Sequence, residues 1–109
     1  MHKVLKFAPP LVPLVLSGEK TSTWRLWDDK NLSEGDVINF LNKETLKQFA
    51  TAKVTKVVER ELGSLSDADW DGHERFSSDQ EMFETYSRYY DREVSTETPV
   101  KILWFKITS

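Results

Sequence analysis

Residues 18–25 carry the side chains of this sequence that are best suited to chemistry. They read GEKTSTWR and combine a glycine, a lysine, three hydroxyl groups and an arginine within eight positions. A lysine amine in contact with a threonine hydroxyl forms a nucleophile pair when burial lowers the pKa of the lysine. Lys20 and Thr23 are the candidates, because the long lysine side chain can fold toward the hydroxyl. The segment therefore predicts a nucleophilic site.

The two-residue period of a strand determines which of these side chains share a face. A strand through the segment places Thr21, Thr23 and Arg25 on one face, and Ser22 and Trp24 on the other. A guanidinium on the first face suits a phosphate or a carbonyl oxygen. The alternative is an ordinary exposed strand, since threonine favours strands and cationic side chains commonly lie on them. The segment is not a phosphate-binding P-loop, because the second glycine and the GK[ST] ending are missing.

Aromatic side chains near this segment are candidates for contact with a base. Trp24 and Trp27 flank the cationic residues, and a ring beside a positive charge suits a single unpaired base. A second aromatic group shares one stripe of a predicted helix and is expected to face the core: Met82, Phe83, Tyr86, Tyr89 and Tyr90.

Composition and charge exclude several classes of function. The 109 residues carry a formal net charge of −3, so any contact with nucleic acid must be local. The absence of cysteine excludes disulfides and thiolate nucleophiles. The two histidines, His2 and His73, have no ligand cluster around them, so we expect neither a metal nor a cofactor. The longest apolar run, residues 11–16, is far shorter than a membrane span of about 20 residues, and no secretory pattern is present. We therefore expect a cytoplasmic protein.

Strands with inserted helices must position these residues. Helices are predicted at 9–17, ending at Gly18, at 64–71, and from the capping pair Ser78 and Glu81 onward. Strands are predicted at 4–7, 21–27, 37–41, 46–58 and 100–107. Neither face of the long strand is uniformly apolar, and the last strand is expected to be central. The pattern predicts one α+β domain over residues 1–109, with a curled sheet that closes into a small β-barrel.

Several motifs resemble the ASCH domain family. Residues 17–25 are similar to its GxKxxxxR signature, and Glu34-Gly35-Asp36 resembles its GD turn before a strand. Residues 72–76, which read GHERF, resemble the family segment in which a glutamate precedes a phenylalanine and an aromatic-rich helix. The resemblance extends over nearly the whole chain. It implies a PUA-like β-barrel with short helices packed against it and a charged cleft that takes RNA or a nucleotide.

The resemblance implies two alternatives for function. In the first, Thr21, Trp24, Arg25 and Trp27 contact RNA or a nucleotide that is bound without turnover. The second is an enzyme, because one bacterial group of the family looks like amidohydrolases that remove the acetyl group from acetylcytidine.

The amidohydrolase alternative assigns a role to each of three residues. Lys20, Thr23 and Glu74 match the lysine, threonine and glutamate of that group. In that scheme Lys20 deprotonates Thr23, whose oxygen attacks the acyl carbon, and Glu74 handles the proton that reaches the leaving amine. A ribonuclease is disfavoured, because neither histidine is placed for acid–base chemistry on RNA.

Overall fold

The computed structural model describes residues 3–28 and 30–108; His2 and Asp29 lie outside the described residues. Five strands form one sheet in the order β1-β3-β4-β5-β2. They are β1 (Lys3–Phe7), β2 (Ser22–Leu26), β3 (Val37–Asn42), β4 (Gln48–Glu61) and β5 (Pro99–Ile107). β1 pairs with β3 in parallel, and the other neighbouring pairs are antiparallel. The sheet curls into a half-barrel whose edges are β1 and β2.

The first helical segment connects the two edge strands. A 3₁₀ turn at Pro9–Leu11 runs directly into α1 (Val12–Ser17), and Gly18 ends the helix with a left-handed φ of 84°. Pro13 belongs to the helix predicted at 9–17 and lies in the first turn of α1. Proline is tolerated there, because amides of the first turn have no partner within the helix.

The second helix is α2 (Asp79–Tyr90), which begins at the predicted cap: the Ser78 side chain accepts a hydrogen bond from the Glu81 amide. Met82 and Tyr86 are buried as predicted. The prediction that Tyr89 faces the core is wrong, since this residue is 50% exposed. It lies over a cavity beside the sheet instead.

Two regions differ from the predicted pattern for physical reasons. The helix predicted at 64–71 is replaced by two 3₁₀ turns, Leu62–Ser64 and Asp67–Trp70. They are separate because Ser66 caps the second one, exchanging hydrogen bonds with Asp69. β5 lies between β4 and β2, one strand from the edge, whereas β4 occupies the centre that was predicted for β5.

A β-bulge explains why β4 has no uniformly apolar face. Its register with β5 shifts between Val54 and Lys56, so the side-chain alternation changes phase there. Ala52 and Val54 are buried before the shift, and Val57 packs against the same core after it.

The buried side chains form two clusters. One lies beneath α1 and includes Phe7, Val15 and Phe40. The other lies between α2 and the β2–β5 side of the sheet and includes Trp24 and Tyr86. No helix among the described residues is long and apolar enough to cross a membrane.

Candidate functional site

A cavity of about 140 Å³ lies where β2, the end of β1, the loop before α2 and α2 itself meet. It brings together five of the seven predicted site residues: Lys20, Thr23, Trp24, Arg25 and Glu74. The remaining lining residues were not predicted as site residues and come from four parts of the chain: Lys6, Phe7, Ala8, Leu11, Lys43, His73, Tyr86, Tyr89 and Tyr90.

Lys20 and Glu74 form a close ion pair inside the cavity. Lys20 is 3% exposed, and its Nζ lies 2.6 Å from Oε2 of Glu74. Its backbone amide donates to the Leu14 carbonyl of α1, which fixes the residue at the entrance to β2. Burial lowers the pKa of Lys20, Glu74 opposes that shift, and Arg25 adds to it. Burial alone raises the pKa of Glu74, but the positive charges of His73, when protonated, and Lys20 make the net shift downward.

A glycine turn holds Glu74 at this position. The amides of Thr21 and Ser22 both donate to the Gly72 carbonyl, at 2.9 and 3.1 Å, and the Ser22 hydroxyl donates to the Asp71 carbonyl. Gly72 has a φ of 74°, and a Cβ at this position would lie 2.0 Å from Oγ1 of Thr21. Thr21 therefore contacts the turn; it was predicted to bind ligand but is not among the cavity-lining residues.

Thr23 presents a hydroxyl to the cavity. The residue is 5% exposed and is held by pairing with Leu103 of β5. Within residues 3–28 and 30–108, its hydroxyl makes no hydrogen bond. Lys20, whose pKa is lowered, and Thr23 line the same small cavity, but no hydrogen bond joins the amine to the hydroxyl in the described structure. A ligand would therefore have to bring the two into the contact that a nucleophile pair requires.

Arg25 connects the two edges of the half-barrel. One of its terminal nitrogens donates to the Lys6 carbonyl of β1 at 3.2 Å, and its guanidinium carbon lies 5.1 Å from the centre of the Phe7 ring. No carboxylate in the described part of the chain forms a salt bridge with Arg25, and its Nε is buried without a hydrogen-bond partner there. The guanidinium is therefore available to an anionic or carbonyl oxygen that enters the cavity.

His73 and Tyr86 complete the polar wall, and sequence reasoning missed both as site residues. Nδ1 of His73 donates to the Glu74 carbonyl at 2.7 Å, while Nε2 lies 3.3 Å from Oε1 of Glu74 and 3.4 Å from the Tyr86 hydroxyl. Burial, with the nearby charge of Lys20, lowers the pKa of His73 to about 4, so the ring is neutral at pH 7. Burial raises the pKa of Tyr86 well above its usual value, so its phenol remains a donor.

The two tryptophans lie in different surroundings. Trp24 is 3% exposed, with its ring stacked on His73 at 4.0 Å and the edge of Trp70 at 4.5 Å, which leaves no open face for a base. Trp27 lines a separate hollow, and the Arg92 guanidinium lies 3.8 Å from the centre of the Trp27 ring. An accessible ring at the cavity is instead that of Tyr89.

The charge around the cavity is opposite in sign to that of the chain. Lys6, Lys20, Arg25 and Lys43 line it, and Glu74 is the carboxylate among its described lining residues. The chain as a whole has a net charge of −3. No group of three or more histidine, cysteine, aspartate or glutamate side chains that could hold a metal occurs in the part of the chain that the structure describes.

Comparisons with known proteins identify the fold. No protein-family model matches the sequence, and no curated protein matches it. An ASCH domain from Lactobacillus crispatus aligns with a TM-score of 0.72 at 17% identity, covering 97% of this chain and 79% of that one. A protein of the DUF984 family from Enterococcus faecalis aligns with a TM-score of 0.77 at 20% identity, covering 99% of this chain and 80% of that one. An ASCH protein from Zymomonas mobilis aligns with a TM-score of 0.62 at 20% identity, covering 94% of this chain and 65% of that one.

At these identities the likeness shows the fold. The expected α+β class with a PUA-like sheet and short helices is confirmed, and the sheet is a half-barrel of five strands.

Proposed function

We propose that this chain, which has the fold of the ASCH domain, binds an acylated nucleobase in its cavity and hydrolyses the exocyclic amide. Lys20, Thr23 and Glu74 carry the reaction in this proposal. The observation that supports it most is the 2.6 Å contact between the buried Lys20 and the partly exposed Glu74 in the same cavity as the unengaged Thr23 hydroxyl. The pair would supply a base and an acid in the same cavity as the nucleophile.

The ion pair can become a neutral acid and base by moving one proton. In the resting state Lys20 is an ammonium and Glu74 a carboxylate, because each stabilises the charge of the other. A ligand that displaces water from the cavity raises the cost of both charges. Transfer of a proton from Nζ to Oε2 then leaves an amine that can accept the Thr23 proton and a carboxylic acid that can donate one.

The reaction proceeds through an ester on Thr23. The Lys20 amine takes the hydroxyl proton as Oγ1 bonds to the acyl carbon, and the negative charge develops on the acyl oxygen. The bond from carbon to the exocyclic nitrogen breaks as Glu74 gives that nitrogen its proton. Water, losing a proton to Glu74, then attacks the ester carbon. The bond from that carbon to Oγ1 breaks as the Lys20 ammonium returns a proton to Oγ1, and the carboxylic acid leaves.

The size of the cavity limits the ligand. A volume of about 140 Å³ is well below the ~300 Å³ of the smallest drug-sized pockets. One base with a small acyl group suits this space, with the ribose outside. Phe7, Ala8 and Leu11 provide the apolar surface that such a base would contact.

Hydrolysis of acetylcytidine tests the proposal. Incubation with the purified protein should release cytidine and acetate in equal amounts, measured by chromatography. Glu74→Gln removes the acid and should lower kcat/KM by about 10²–10⁴-fold. Glu61→Gln is the matched control, because Glu61 is exposed on β4 and does not line the cavity. Absence of cytidine release, or equal release by Glu74→Gln, would contradict the proposal.

A second candidate function is the binding of RNA or a nucleotide without turnover. The excess of cationic over anionic residues around the cavity favours it. Binding of a short single-stranded RNA should then weaken with salt and on Lys20→Ala or Arg25→Ala in variants that remain folded. Binding unchanged by both substitutions would rule out this use of the cavity.

We also propose that residues 1–109 form one domain that works in the cytoplasm, where nucleotides and RNA are made and used. A single cooperative unfolding transition tests the first statement, and cell fractionation tests the second.

A further inference from the structure

Three cationic side chains gather around the end of β1. Arg25 donates to the Lys6 carbonyl, and the Lys43 amide donates to the Phe7 carbonyl at 2.8 Å. These contacts, one from the Arg25 guanidinium and one from the Lys43 backbone amide, tie Arg25 and Lys43 to the end of β1, and Lys6, Arg25 and Lys43 all line the cavity. Lys43 Nζ also lies 5.4 Å from the centre of the Tyr89 ring, at the exposed rim.

None of these three cations forms a salt bridge with a carboxylate in the described ranges 3–28 and 30–108. Glu74, the carboxylate of the cavity, is engaged by Lys20. Other lysines of this protein do have carboxylate partners, as Lys3 does with Asp36 and Lys101 with Asp28. The end of the cavity near β1 therefore carries three cationic groups, none of which has a carboxylate of the described protein in direct contact.

We infer that Lys6, Arg25 and Lys43 bind the phosphate monoester of a mononucleotide, so that the proposed hydrolase acts on an acylated nucleotide instead of a free nucleoside. This inference rests on the proposed function for the position of the base. A phosphate monoester carries about −1.5 to −2 charge at neutral pH and has three acceptor oxygens, which suits three converging cations better than a single-charged diester does.

The arrangement along β2 agrees with such a ligand. Thr23 and Arg25 lie two residues apart in β2, so their Cα atoms are about 7 Å apart. The acyl group would lie at the Thr23 end, beside the ion pair of Lys20 and Glu74. The cavity has space for the base, and the phosphate would therefore reach the rim, where the lysines are exposed.

A free mononucleotide fits this site better than a long RNA. The cations converge on the end of one strand, and the rest of the molecule contributes an excess of negative charge, since the chain carries −3 overall. An extended backbone would meet that negative surface beyond the cavity.

Titration calorimetry at low salt tests the inference with cytidine, cytidine 5′-monophosphate, cytidine 3′-monophosphate and a cytidine hexanucleotide. One of the two monophosphates should bind about 10- to 100-fold more tightly than cytidine, the range expected for charge-assisted hydrogen bonds. Lys6→Ala and Lys43→Ala should each weaken binding of that monophosphate about three- to tenfold and leave cytidine binding unchanged.

Lys106→Ala is the matched control, because Lys106 is exposed on β5 and does not line the cavity. It should bind every probe like the wild type. Arg25→Lys, which keeps the charge, should retain most of the preference for the monophosphate.

The outcomes separate this inference from the function on which it rests. If cytidine and both monophosphates bind equally, the phosphate site is wrong while binding of the base stands. If no probe binds, the nucleobase cavity itself is contradicted. Tighter binding of the hexanucleotide than of both monophosphates would overturn the assignment to a mononucleotide.

Discussion

At the scale of single residues, the chemistry of the cavity depends on Lys20. An ammonium that is 3% exposed carries a desolvation cost of several kcal/mol unless a partner offsets it. Glu74 offsets it at 2.6 Å, and the Glu74 side chain remains 29% exposed, so water reaches the pair from the carboxylate side. A buried ion pair contributes little net stability, and an apolar pair would fill the same space at no such cost. The small net stability of such a pair is consistent with the proposed role of Lys20 and Glu74 in proton transfer.

The neutral state of His73 predicts how stability depends on pH. Its pKa is about 4 in the folded protein and about 6.5 when unfolded, so between these values the unfolded chain binds more protons. Stability should therefore fall as the pH is lowered from 6.5 to 4, by about 1–3 kcal/mol in the free energy of unfolding. Denaturation by urea at several pH values between 6.5 and 4 measures this change in the free energy of unfolding.

His73→Gln is the comparison that isolates this residue. The amide of glutamine can still donate a hydrogen bond but does not titrate, so the slope between pH 6.5 and 4 should be smaller in this variant. A lowered pKa of Glu74 in the folded protein means that the unfolded chain takes up this proton first, so the loss of stability below about pH 4.5 should persist in both proteins. Equal slopes between pH 6.5 and 4 would show that His73 is not held neutral.

The sequence predicted the cavity residues that share one segment and missed those that meet through the fold. Lys20, Thr23 and Arg25 lie within six positions, so the period of a strand and the reach of a lysine were enough to group them. Glu74 came from the resemblance to a family. Lys43 reaches the cavity because its amide pairs with the end of β1, a long-range contact that no local pattern encodes.

At the scale of elements, the turn at Gly72 joins the loop before α2 to the start of β2. Its carbonyl accepts from two successive amides of the β2 entrance, and its left-handed φ lets the chain pass close to Thr21. His73 and Glu74 follow directly, so the position of both site residues depends on this turn.

Gly72→Ala should be more harmful than Gly18→Ala. Both glycines have a positive φ, which costs an alanine about 1–2 kcal/mol. A Cβ on Gly18 meets nothing within 4 Å, whereas one on Gly72 lies 2.0 Å from Oγ1 of Thr21, and such crowding adds about 1–3 kcal/mol. Urea denaturation of both variants measures the difference.

Thr21→Ala in the Gly72→Ala background provides the control for that clash. Removal of the hydroxyl should recover part of the lost stability, while the strain of the positive φ remains. If Gly72→Ala and Gly18→Ala lose the same stability, the close approach of the turn to β2 is contradicted.

The predicted helices and strands were correct where a few adjacent residues determine the structure. They differed from the structure where contacts with other elements determine it. The cap at Ser78 and the stop at Gly18 were both visible in the sequence, because capping needs a few adjacent residues. The bulge in β4 reverses which side chains point to the core beyond it. The alternation of apolar and polar residues in the sequence therefore showed that both faces of β4 are mixed, but it did not reveal the bulge as the cause. Tyr89 matched the apolar stripe of α2, yet the helix buries a narrower face.

At the scale of the whole molecule, the cavity lies where the half-barrel would otherwise remain open. β1 and β2 are the two edges of the sheet, and Arg25 joins them by its hydrogen bond to the Lys6 carbonyl. Tyr90 of α2 covers β2 by accepting a hydrogen bond from the Leu26 amide. Residues far apart in the chain therefore converge at this closure, and the result is a cationic hollow in an acidic protein.

The central claim is that the hydroxyl of Thr23 is the nucleophile of this hollow. Turnover of acetylcytidine by Thr23→Ser and Thr23→Ala, compared with the wild type, tests it most directly. Thr23→Ser keeps the oxygen and should stay within about tenfold of the wild-type kcat/KM, while Thr23→Ala should lose at least about 10³-fold. Turnover by Thr23→Ala above a tenth of the wild-type value would contradict the claim.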